Sequence, residues 1–377
     1  MNPNKESPMT TPKMVMSGWV SAGMLYGGAE RVTSILVNEW AKNDCETRIL
    51  VTRTEKISKY PLAQNVEVVS CYEDIKKAKV GQLAIIRIIR ETCKEWKPDV
   101  VISFYNDLCA LASIAILGLH IPLIYSERND PNRTNQRPID QVYRKIVENR
   151  ADKIVFQTKG AQACYPPKVQ KKSAVILNPL DTSAFPTHDF SKEKKEIVSV
   201  GRLEPQKNQK LLIESFSMLA EELPDYNLVI YGEGSLRKEL KAFVESKGLT
   251  NRVFLPGAKS EIQNYIKDAS LFVLSSDYEG IPNALIEAMA IGLPCVSTDC
   301  SPGGARELIC SGENGVIVPC NSKKDLANAI IEIINDKEKA RQLGKQAELI
   351  RDRVNKMTIS EEWIKIIKNC RGNKDGV

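Results

Sequence analysis

Residues 275–299 read SSDYEGIPNALIEAMAIGLPCVSTD and follow the apolar run Leu271–Leu274. An apolar run, a polar loop, an apolar helical stretch and a second β-rich run form a βαβ unit, the building block of parallel sheets. We predict strands at Leu271–Leu274 and Pro294–Ser297, joined by a helix that begins near Pro282 or Asn283. The loop before this helix then lies at the sheet edge where ligands bind.

The same alternation of β-rich and helical stretches covers the chain, whose 377 residues exceed what one hydrophobic core usually organises. The proline-rich segment 177–196 has neither period and is the best linker candidate. The sequence therefore predicts an α/β fold of two Rossmann-like, doubly wound domains facing a cleft. We place the first domain at 13–185, the second at 186–355, and a final helix crossing back to the first domain at 356–377. Further strands are predicted at 14–20, 47–52, 66–70, 99–103, 121–125, 153–156, 173–177, 197–200, 227–231, 252–255 and 315–318.

The composition is that of a soluble globular protein, with 42% hydrophobic and 27% charged residues. No stretch approaches the roughly 18 apolar residues of a membrane span, and the start, MNPNKESPMTTPK, lacks the apolar core of a signal peptide. We expect a cytoplasmic protein whose ten cysteines are reduced thiols. Two histidines are too few for a multi-histidine zinc site, and no metal is expected.

Positive charge is concentrated in the first half of the chain. Residues 1–185 hold 26 Lys and Arg against 19 Asp and Glu, a net charge of +7, whereas residues 186–377 hold 27 against 28, a net charge of −1. This asymmetry indicates that the first half faces phosphate, lipid head groups or nucleic acid.

One predicted helix in the first half carries a basic stripe. Most such stripes are solvated faces; the functional alternatives are docking on an anionic inner membrane leaflet or binding an acceptor diphosphate. The residues of the stripe recur at helical spacing and are Arg87, Arg90, Lys94 and Lys97.

Two cations stand in the loop GRLEPQKNQ (201–209), after a predicted strand and before a helix. Loops at the carboxyl ends of parallel strands face the binding crevice, so Arg202 and Lys207 are placed to bind phosphate. A guanidinium grips phosphate bidentately and an ammonium adds a point charge. Plain solvated cations are the alternative, and this loop alone does not decide between them.

Glu279 and Glu287 stand eight positions apart in the segment quoted first. Between them, the unpaired amides at the start of the predicted helix favour a phosphate or sugar oxygens. A carboxylate beside this site would accept hydrogen bonds from sugar hydroxyls. Glu287 lies within the apolar run ALIEAMAIG and needs a partner, for which a ribose diol would serve.

Together these two segments resemble the large family of retaining glycosyltransferases with the GT-B fold and the E-x7-E motif, of the type that makes bacterial lipid-linked oligosaccharides, O-antigens and capsules. The resemblance covers nearly the whole chain. It implies that Arg202 and Lys207 hold the donor diphosphate. It also implies that Glu279 contacts the transferred sugar and that Glu287 contacts the ribose. The catalytic residues by this resemblance are Arg202, Lys207 and Glu279.

The resemblance extends to glycine-bearing loops on both sides of the cleft. The runs YGEGS (231–235) and LPGAKSE (255–261) look like loops around the phosphates and nucleobase, and MLYGGAER (24–31) looks like the loop that reaches the donor phosphates from the first domain. The donor-binding residues so implied are Gly27, Gly28, Gly201, Arg202, Lys207, Gly232, Gly234, Ala258, Glu279, Gly280, Ile281, Pro282, Asn283 and Glu287.

The loop YSERNDPN (125–132) departs from the family pattern. Related enzymes often carry a histidine there, close to the reacting sugar, and this chain has none. The candidates for contacts to the acceptor or to the donor sugar are Glu127, Arg128 and Asn129.

The resemblance implies transfer of a hexose or N-acetylhexosamine, with retention, from a UDP-linked donor to a polyprenyl-diphosphate-linked or other surface-polysaccharide precursor. No cofactor is expected, and the absence of a D-x-D sequence implies no metal. A nicotinamide-dependent oxidoreductase is an alternative that lacks its G-x-G-x-x-G fingerprint. A GT-B nucleotide-sugar epimerase would need more acid–base groups than two histidines supply. A basic membrane- or nucleic-acid-binding module leaves the acidic pair unexplained, and no nucleic acid partner is expected.

Overall fold

Two parallel sheets with helices on both faces make up the protein, so the predicted fold class is confirmed. The computed structural model describes residues 13–18, 28–43, 45–52, 60–134, 137–183 and 185–372. Among these residues, no helix has both the length and the apolar character needed to cross a membrane.

The first sheet has seven parallel strands in the order β3-β2-β1-β4-β5-β6-β7. Its strands are β1 (Lys13–Gly18), β2 (Glu46–Val51), β3 (Val66–Ser70), β4 (Val100–Ser103), β5 (Leu123–Ser126), β6 (Lys153–Phe156) and β7 (Ser173–Val175). Its helices are α1 (Gly28–Lys42), α2 (Tyr72–Lys77), α3 (Gly81–Trp96), α4 (Asn106–Ala115), α5 (Pro131–Thr134), α6 (Pro138–Arg150), α7 (Lys159–Ala163) and α8 (Pro167–Gln170).

The second sheet has six parallel strands in the order β10-β9-β8-β11-β12-β13. Its strands are β8 (Lys194–Val200), β9 (Asn227–Tyr231), β10 (Val253–Gly257), β11 (Ala269–Leu274), β12 (Cys295–Thr298) and β13 (Val316–Val318). The remaining helices are α9 (Gln209–Leu219), α10 (Arg237–Ser246), α11 (Gln263–Ile266), α12 (Asn283–Ile291), α13 (Gly304–Leu308), α14 (Lys323–Asn335), α15 (Lys337–Glu348), α16 (Ile350–Arg353) and α17 (Lys356–Gly372).

The strand order of each sheet reverses direction beside its first strand, between β1 and β4 and between β8 and β11. At such a switch point the connections leave to opposite sides, and the carboxyl ends of the two strands open a crevice. The loop after β8 carries Arg202 and Lys207, and the loop after β11 carries Glu279. Topology therefore brings two segments about 70 residues apart to one crevice.

Predicted and observed strands differ chiefly at their ends. β8 begins at Lys194, three residues before the predicted start, although its first residues are charged and exposed. Backbone pairing explains the extension, because the Lys194 amide donates to the Asp268 carbonyl at 2.7 Å and β8 lies between two neighbouring strands. The predicted first strand ran to Val20, and its last two residues lie outside the described ranges.

The last helix, α17, packs on the first domain. Trp363 is 1% exposed, with its ring centroid 6.2 Å from that of Trp40 and 6.1 Å from that of Phe104. Ile359 and Ile367 are buried in the same cluster. The domain boundaries given above stay predictions, but the end of the chain contributes to the core of the first sheet.

We predict that Trp363→Ala lowers the free energy of unfolding by about 3 to 5 kcal/mol, the usual cost of emptying a buried tryptophan site. Urea denaturation followed by circular dichroism measures it. Met357→Ala is the control, because Met357 lies on the same helix and is 60% exposed; its effect should stay within about 0.5 kcal/mol. Equal effects of both changes would contradict the packing described here.

Candidate active site

The predicted catalytic pair, Lys207 and Glu279, meets at the switch point of the second sheet. The Lys207 ammonium forms an ion pair with Glu279 Oε1, and both side chains are largely buried, at 17% and 7% exposure. Ser276 Oγ donates to the same carboxylate oxygen at 2.7 Å. The Glu279 amide donates to the Ser301 carbonyl at 2.8 Å, which fixes the backbone of the loop. The carboxylate is thus held in place by a cation and a hydroxyl.

Glycines in the loops after β8 and β9 let these loops pack back to back. A Cβ added to Gly232 would lie 1.8 Å from the Gly201 carbonyl oxygen, and one added to Gly234 would lie 2.3 Å from the Leu203 carbonyl oxygen. The Gly201 and Leu203 amides donate to the neighbouring loop at 2.9 Å each. Close packing of the loops explains why these positions need glycine.

Helices α1 and α12 begin next to one another across the cleft. A Cβ on Gly28, the first residue of α1, would lie 2.7 Å from Nδ2 of Asn283, the first residue of α12. The predicted start of α12 is therefore correct. Each helix start carries unpaired amides and a partial positive charge. Two positive helix ends facing one space favour an anion between them.

Gly280, in the loop before α12, also contacts the first domain. A Cβ there would lie 2.4 Å from Gln157 Oε1 and 2.5 Å from the Arg128 carbonyl oxygen. Ile281 and Pro282 are buried beside it. A glycine is required here because the two domains approach through its backbone.

Glu287 is paired with a residue that the sequence analysis did not single out. Arg31 Nη1, from α1 of the first domain, forms an ion pair with Glu287 Oε1. The Glu287 side chain is 6% exposed and that of Arg31 is 26% exposed. Arg31, Asn283 and Glu287 line a small cavity together with Val32 and Pro179. The carboxylate expected to bind ribose is thus held by a guanidinium from the opposite domain.

Glu30, the residue before Arg31 on α1, is buried at 5% exposure, and its carboxylate has no hydrogen-bond partner in another described residue. Burial raises the pKa of the Glu30 carboxyl, while its own backbone N–H and the nearby Arg202 lower it by smaller amounts. Buried carboxylates without partners destabilise a fold. Such residues are retained chiefly in binding sites, where a ligand can supply the partner.

Of the three candidates in the 125–132 loop, Glu127 is fully engaged within the protein. Tyr125 and Tyr165 each donate to its Oε2 at 3.0 Å, and the amides of Arg128 and Asn129 donate to Oε1 at 3.0 and 3.2 Å. Burial raises the pKa of the Glu127 carboxyl, and these four hydrogen bonds oppose the shift. Glu127 therefore shapes the loop that presents its two neighbours.

Arg128 is anchored between an aromatic ring and an amide. Its guanidinium lies 4.0 Å from the Phe104 ring centroid, and Nη1 donates to Asn178 Oδ1 at 2.8 Å. Burial lowers the pKa of this guanidinium to about 9. Asn178 Oδ1 also accepts from Gln157, and Asn178 Nδ2 donates to Asn283 Oδ1 at 2.7 Å. A hydrogen-bonded chain thus connects the 125–132 loop to the start of α12.

The other predicted site residues lie at the rim or outside the described ranges. Arg202 and Ala258 are exposed at the carboxyl ends of their strands, and Gly27 is outside the described residues. Within the ranges that the structure describes, no cluster of three or more His, Cys, Asp or Glu side chains could hold a metal ion.

The basic stripe on α3 is only partly exposed. Arg87 is exposed and pairs with Glu91 at 2.9 Å, and Lys94 and Lys97 are exposed. Arg90 instead donates to the carbonyls of Ala115 and Leu117 at 2.7 and 2.9 Å, at the end of α4. Arg90 is therefore engaged within the protein, because the carbonyls that end a helix need donors, and a membrane or acceptor role for the stripe stays a prediction.

We predict that Glu30→Gln stabilises the protein, and more so as the pH rises. The raised pKa means that ionisation of Glu30 costs more in the folded chain than in the unfolded one. This cost is absent well below the ordinary value of 4.5, and it develops as the pH rises through that value and the higher folded one.

Melting temperatures of the wild type and of Glu30→Gln, measured below pH 4.5 and again at mildly alkaline pH, test this effect. Glu95→Gln, an exposed glutamate on α3, is the control and should show the same small difference at both values. A Glu30→Gln protein that melts below the wild type at alkaline pH would contradict the assignment of Glu30 as an unpartnered carboxylate.

Two family models match the chain side by side. Residues 26–184 match the model described as Glycosyltransferase Family 4, and residues 181–349 match the model described as Glycosyl transferases group 1. Between them the matches span residues 26–349, most of the chain.

Individual relatives agree with these models. The GalNAc-alpha-(1->4)-GalNAc-alpha-(1->3)-diNAcBac-PP-undecaprenol alpha-1,4-N-acetyl-D-galactosaminyltransferase of Campylobacter jejuni is 28% identical, over 95% of this chain and 99% of its own. The lipopolysaccharide 1,6-galactosyltransferase of Salmonella typhimurium is 25% identical, over 83% of this chain and 88% of its own. In fold, HepE of Anabaena in complex with UDP-glucose matches with a TM-score of 0.77 at 20% identity, covering 95% of this chain and 99% of HepE. Since both halves match glycosyltransferase models and the two-domain fold matches that of HepE, the chain is a glycosyltransferase of the GT-B fold, with a first half of Family 4 and a second half of group 1.

Proposed function

We propose that this enzyme transfers a hexose or N-acetylhexosamine from a UDP-linked donor, with retention of configuration, to a polyprenyl-diphosphate-linked or other surface-polysaccharide acceptor. The observation that carries the proposal is the buried pair of Lys207 and Glu279 at the switch point, with Glu287 eight residues further on. This spacing is the E-x7-E pattern, and it puts two carboxylates on either side of a helix start.

Each part of a nucleotide sugar has a complementary group in this arrangement. The start of α12 and the cations Arg202 and Lys207 suit a diphosphate. Glu279 suits hydroxyls of the transferred sugar, and Glu287 suits the ribose diol. The UDP-glucose complex of HepE supports a uridine nucleotide, and the undecaprenyl-linked acceptor of the Campylobacter enzyme supports a lipid-linked acceptor.

The proposed reaction takes place on one face of the sugar. The bond from the anomeric carbon to the phosphate oxygen breaks as the bond to the acceptor hydroxyl oxygen forms, and the hydroxyl proton passes to the departing phosphate. Negative charge grows on that phosphate, and Arg202, Lys207 and the amides before Asn283 stabilise it. No metal is needed in this scheme because these groups neutralise the leaving diphosphate.

The start of α3 in the first domain presents exposed apolar and basic side chains. Val80 and Leu83 are 47% and 63% exposed at the start of α3, beside the exposed cations Lys76, Lys77 and Lys79. Apolar side chains flanked by cations suit an interface with anionic lipid, where each cation contributes on the order of 1 kcal/mol. We place the enzyme at the cytoplasmic face of the membrane through this surface.

We predict that Lys207→Ala lowers turnover of a UDP-sugar by roughly a hundredfold or more, since it removes a prearranged cation from the leaving group. The matched control is Lys210→Ala, because Lys210 lies on the adjoining helix and pairs at the surface with Glu239. A panel of UDP-sugars in a thermal-shift assay identifies the donor first. Proton NMR of the product then gives its anomeric configuration; inversion, or normal turnover by Lys207→Ala, would refute the mechanism.

We predict that Arg87→Glu/Lys94→Glu reduces binding to vesicles that contain anionic lipid, measured by flotation. Lys238→Glu/Lys241→Glu is the charge-matched control, since both lysines are exposed on α10 of the second domain. Binding should also fall as salt rises. If both variants and the wild type bind the vesicles equally, α3 does not contact the membrane.

A further inference from the structure

The ion pair between Arg31 and Glu287 occupies a carboxylate that the proposed function assigns to the ribose of the donor. Under the proposed function Glu287 accepts hydrogen bonds from the ribose of the donor, yet in this structure its carboxylate is held by Arg31 from the opposite domain. The guanidinium occupies Oε1 of Glu287, so a ribose diol that engages both carboxylate oxygens competes with Arg31 for that oxygen. Under the proposed function, this competition changes the partner of Arg31.

Arg31 cannot give up its charge when it loses that partner, because arginine stays protonated in proteins. It lies in the first turn of α1, where the helix dipole disfavours a cation. The start of α12 meets the same turn, with Gly28 against Asn283. A displaced Arg31 is therefore surrounded by two positive helix ends, and it needs an anion close by.

We propose that Arg31 is a third cation for the donor diphosphate, supplied by the first domain and stored on Glu287 until ribose displaces it. The inference rests on the proposed function and deepens it. A diphosphate bound at the start of α12 lies next to the first turn of α1, since Gly28 of that turn is against Asn283. Ribose hydroxyls replace the guanidinium on Glu287 while the phosphate replaces Glu287 on the guanidinium, so every charge stays paired.

The exchange predicts that UDP and uridine respond differently to loss of Arg31. In the wild type, uridine must break the ion pair and offers Arg31 nothing in return, whereas UDP offers phosphate. Arg31→Gln removes this cost for uridine and removes a phosphate ligand for UDP. Calorimetric titration should therefore show UDP binding weakened by roughly tenfold or more, and uridine binding unchanged or tighter.

Lys42→Gln is the matched control, because it removes one positive charge from the same helix at a site that is 63% exposed and pairs with Glu39. It should leave both affinities unchanged. A thermal unfolding curve checks that Arg31→Gln is folded. If it is not, Arg31→Lys keeps the charge and should weaken UDP less while leaving uridine unaffected.

A double-mutant cycle with Glu287→Gln separates a phosphate ligand from a residue that only orients Glu287. In the Glu287→Gln background, Arg31→Gln should still weaken UDP by roughly the same factor. No further loss in that background, or an equal change for UDP and uridine in either direction, would overturn the proposal. A wild-type protein that binds neither UDP nor uridine would instead refute the nucleotide assigned under the proposed function.

Discussion

The meeting of two helix starts across the cleft constrains the rest of the site. Gly28 begins α1 and Asn283 begins α12, and the helices approach so closely that a side chain on Gly28 would contact Asn283. Each start leaves unpaired amides and a partial positive charge of about half an electron. The protein has to balance this field with carboxylates when no anionic ligand is bound. Three buried glutamates, one on α1, one before α12 and one within α12, lie around it.

The carboxylates of these three glutamates differ in the number of partners that they have within the protein. Glu279 is held by Lys207 and Ser276, Glu287 has only a guanidinium from the other domain, and Glu30 has no partner outside its own backbone among the described residues. Glu127, further into the first domain, accepts four hydrogen bonds and has no capacity to spare for a ligand. Incomplete satisfaction is costly for stability, and it is concentrated where, under the proposed function, ligand hydroxyls donate to these carboxylates.

The sequence predicted those parts of this arrangement that depend on local pattern and on the geometry of parallel sheets. The start of α12 follows from a proline before an apolar helical run, and the convergence of Lys207 and Glu279 follows from the rule that parallel strands end at one edge. The partner of Glu287 did not follow, because Arg31 lies 256 positions away and meets it only through the orientation of the two domains. The hydrogen bonds of Arg90 to the carbonyls at the end of α4 did not follow either, since helical spacing does not reveal which neighbouring carbonyls need a donor.

The orientation of the domains is itself tied to the core of the first one. Trp363 of α17 packs on Phe104, Phe104 supports the guanidinium of Arg128, and Arg128 is connected through Asn178 to Asn283. The start of α12 is thus linked to an aromatic cluster that the last helix completes.

The chain crosses between the domains twice, and the two crossings lie side by side. The Leu180 amide donates to the Val354 carbonyl at 2.8 Å, and Leu180 pairs with Asn355 in an isolated β-bridge. Two adjacent crossings form one place about which the domains can rotate relative to one another. Such a rotation leaves α17 on the first domain and changes the distance between α1 and α12. The contacts between the domains on this side include the ion pair of Arg31 with Glu287 and the hydrogen bonds of Asn178 with Asn283 and of the Lys159 amide with Glu307. Because polar contacts exchange with ligand groups more readily than packed apolar ones, these are the contacts that a ligand in the cleft can replace, whereas the apolar packing of α17 on the first domain stays in place.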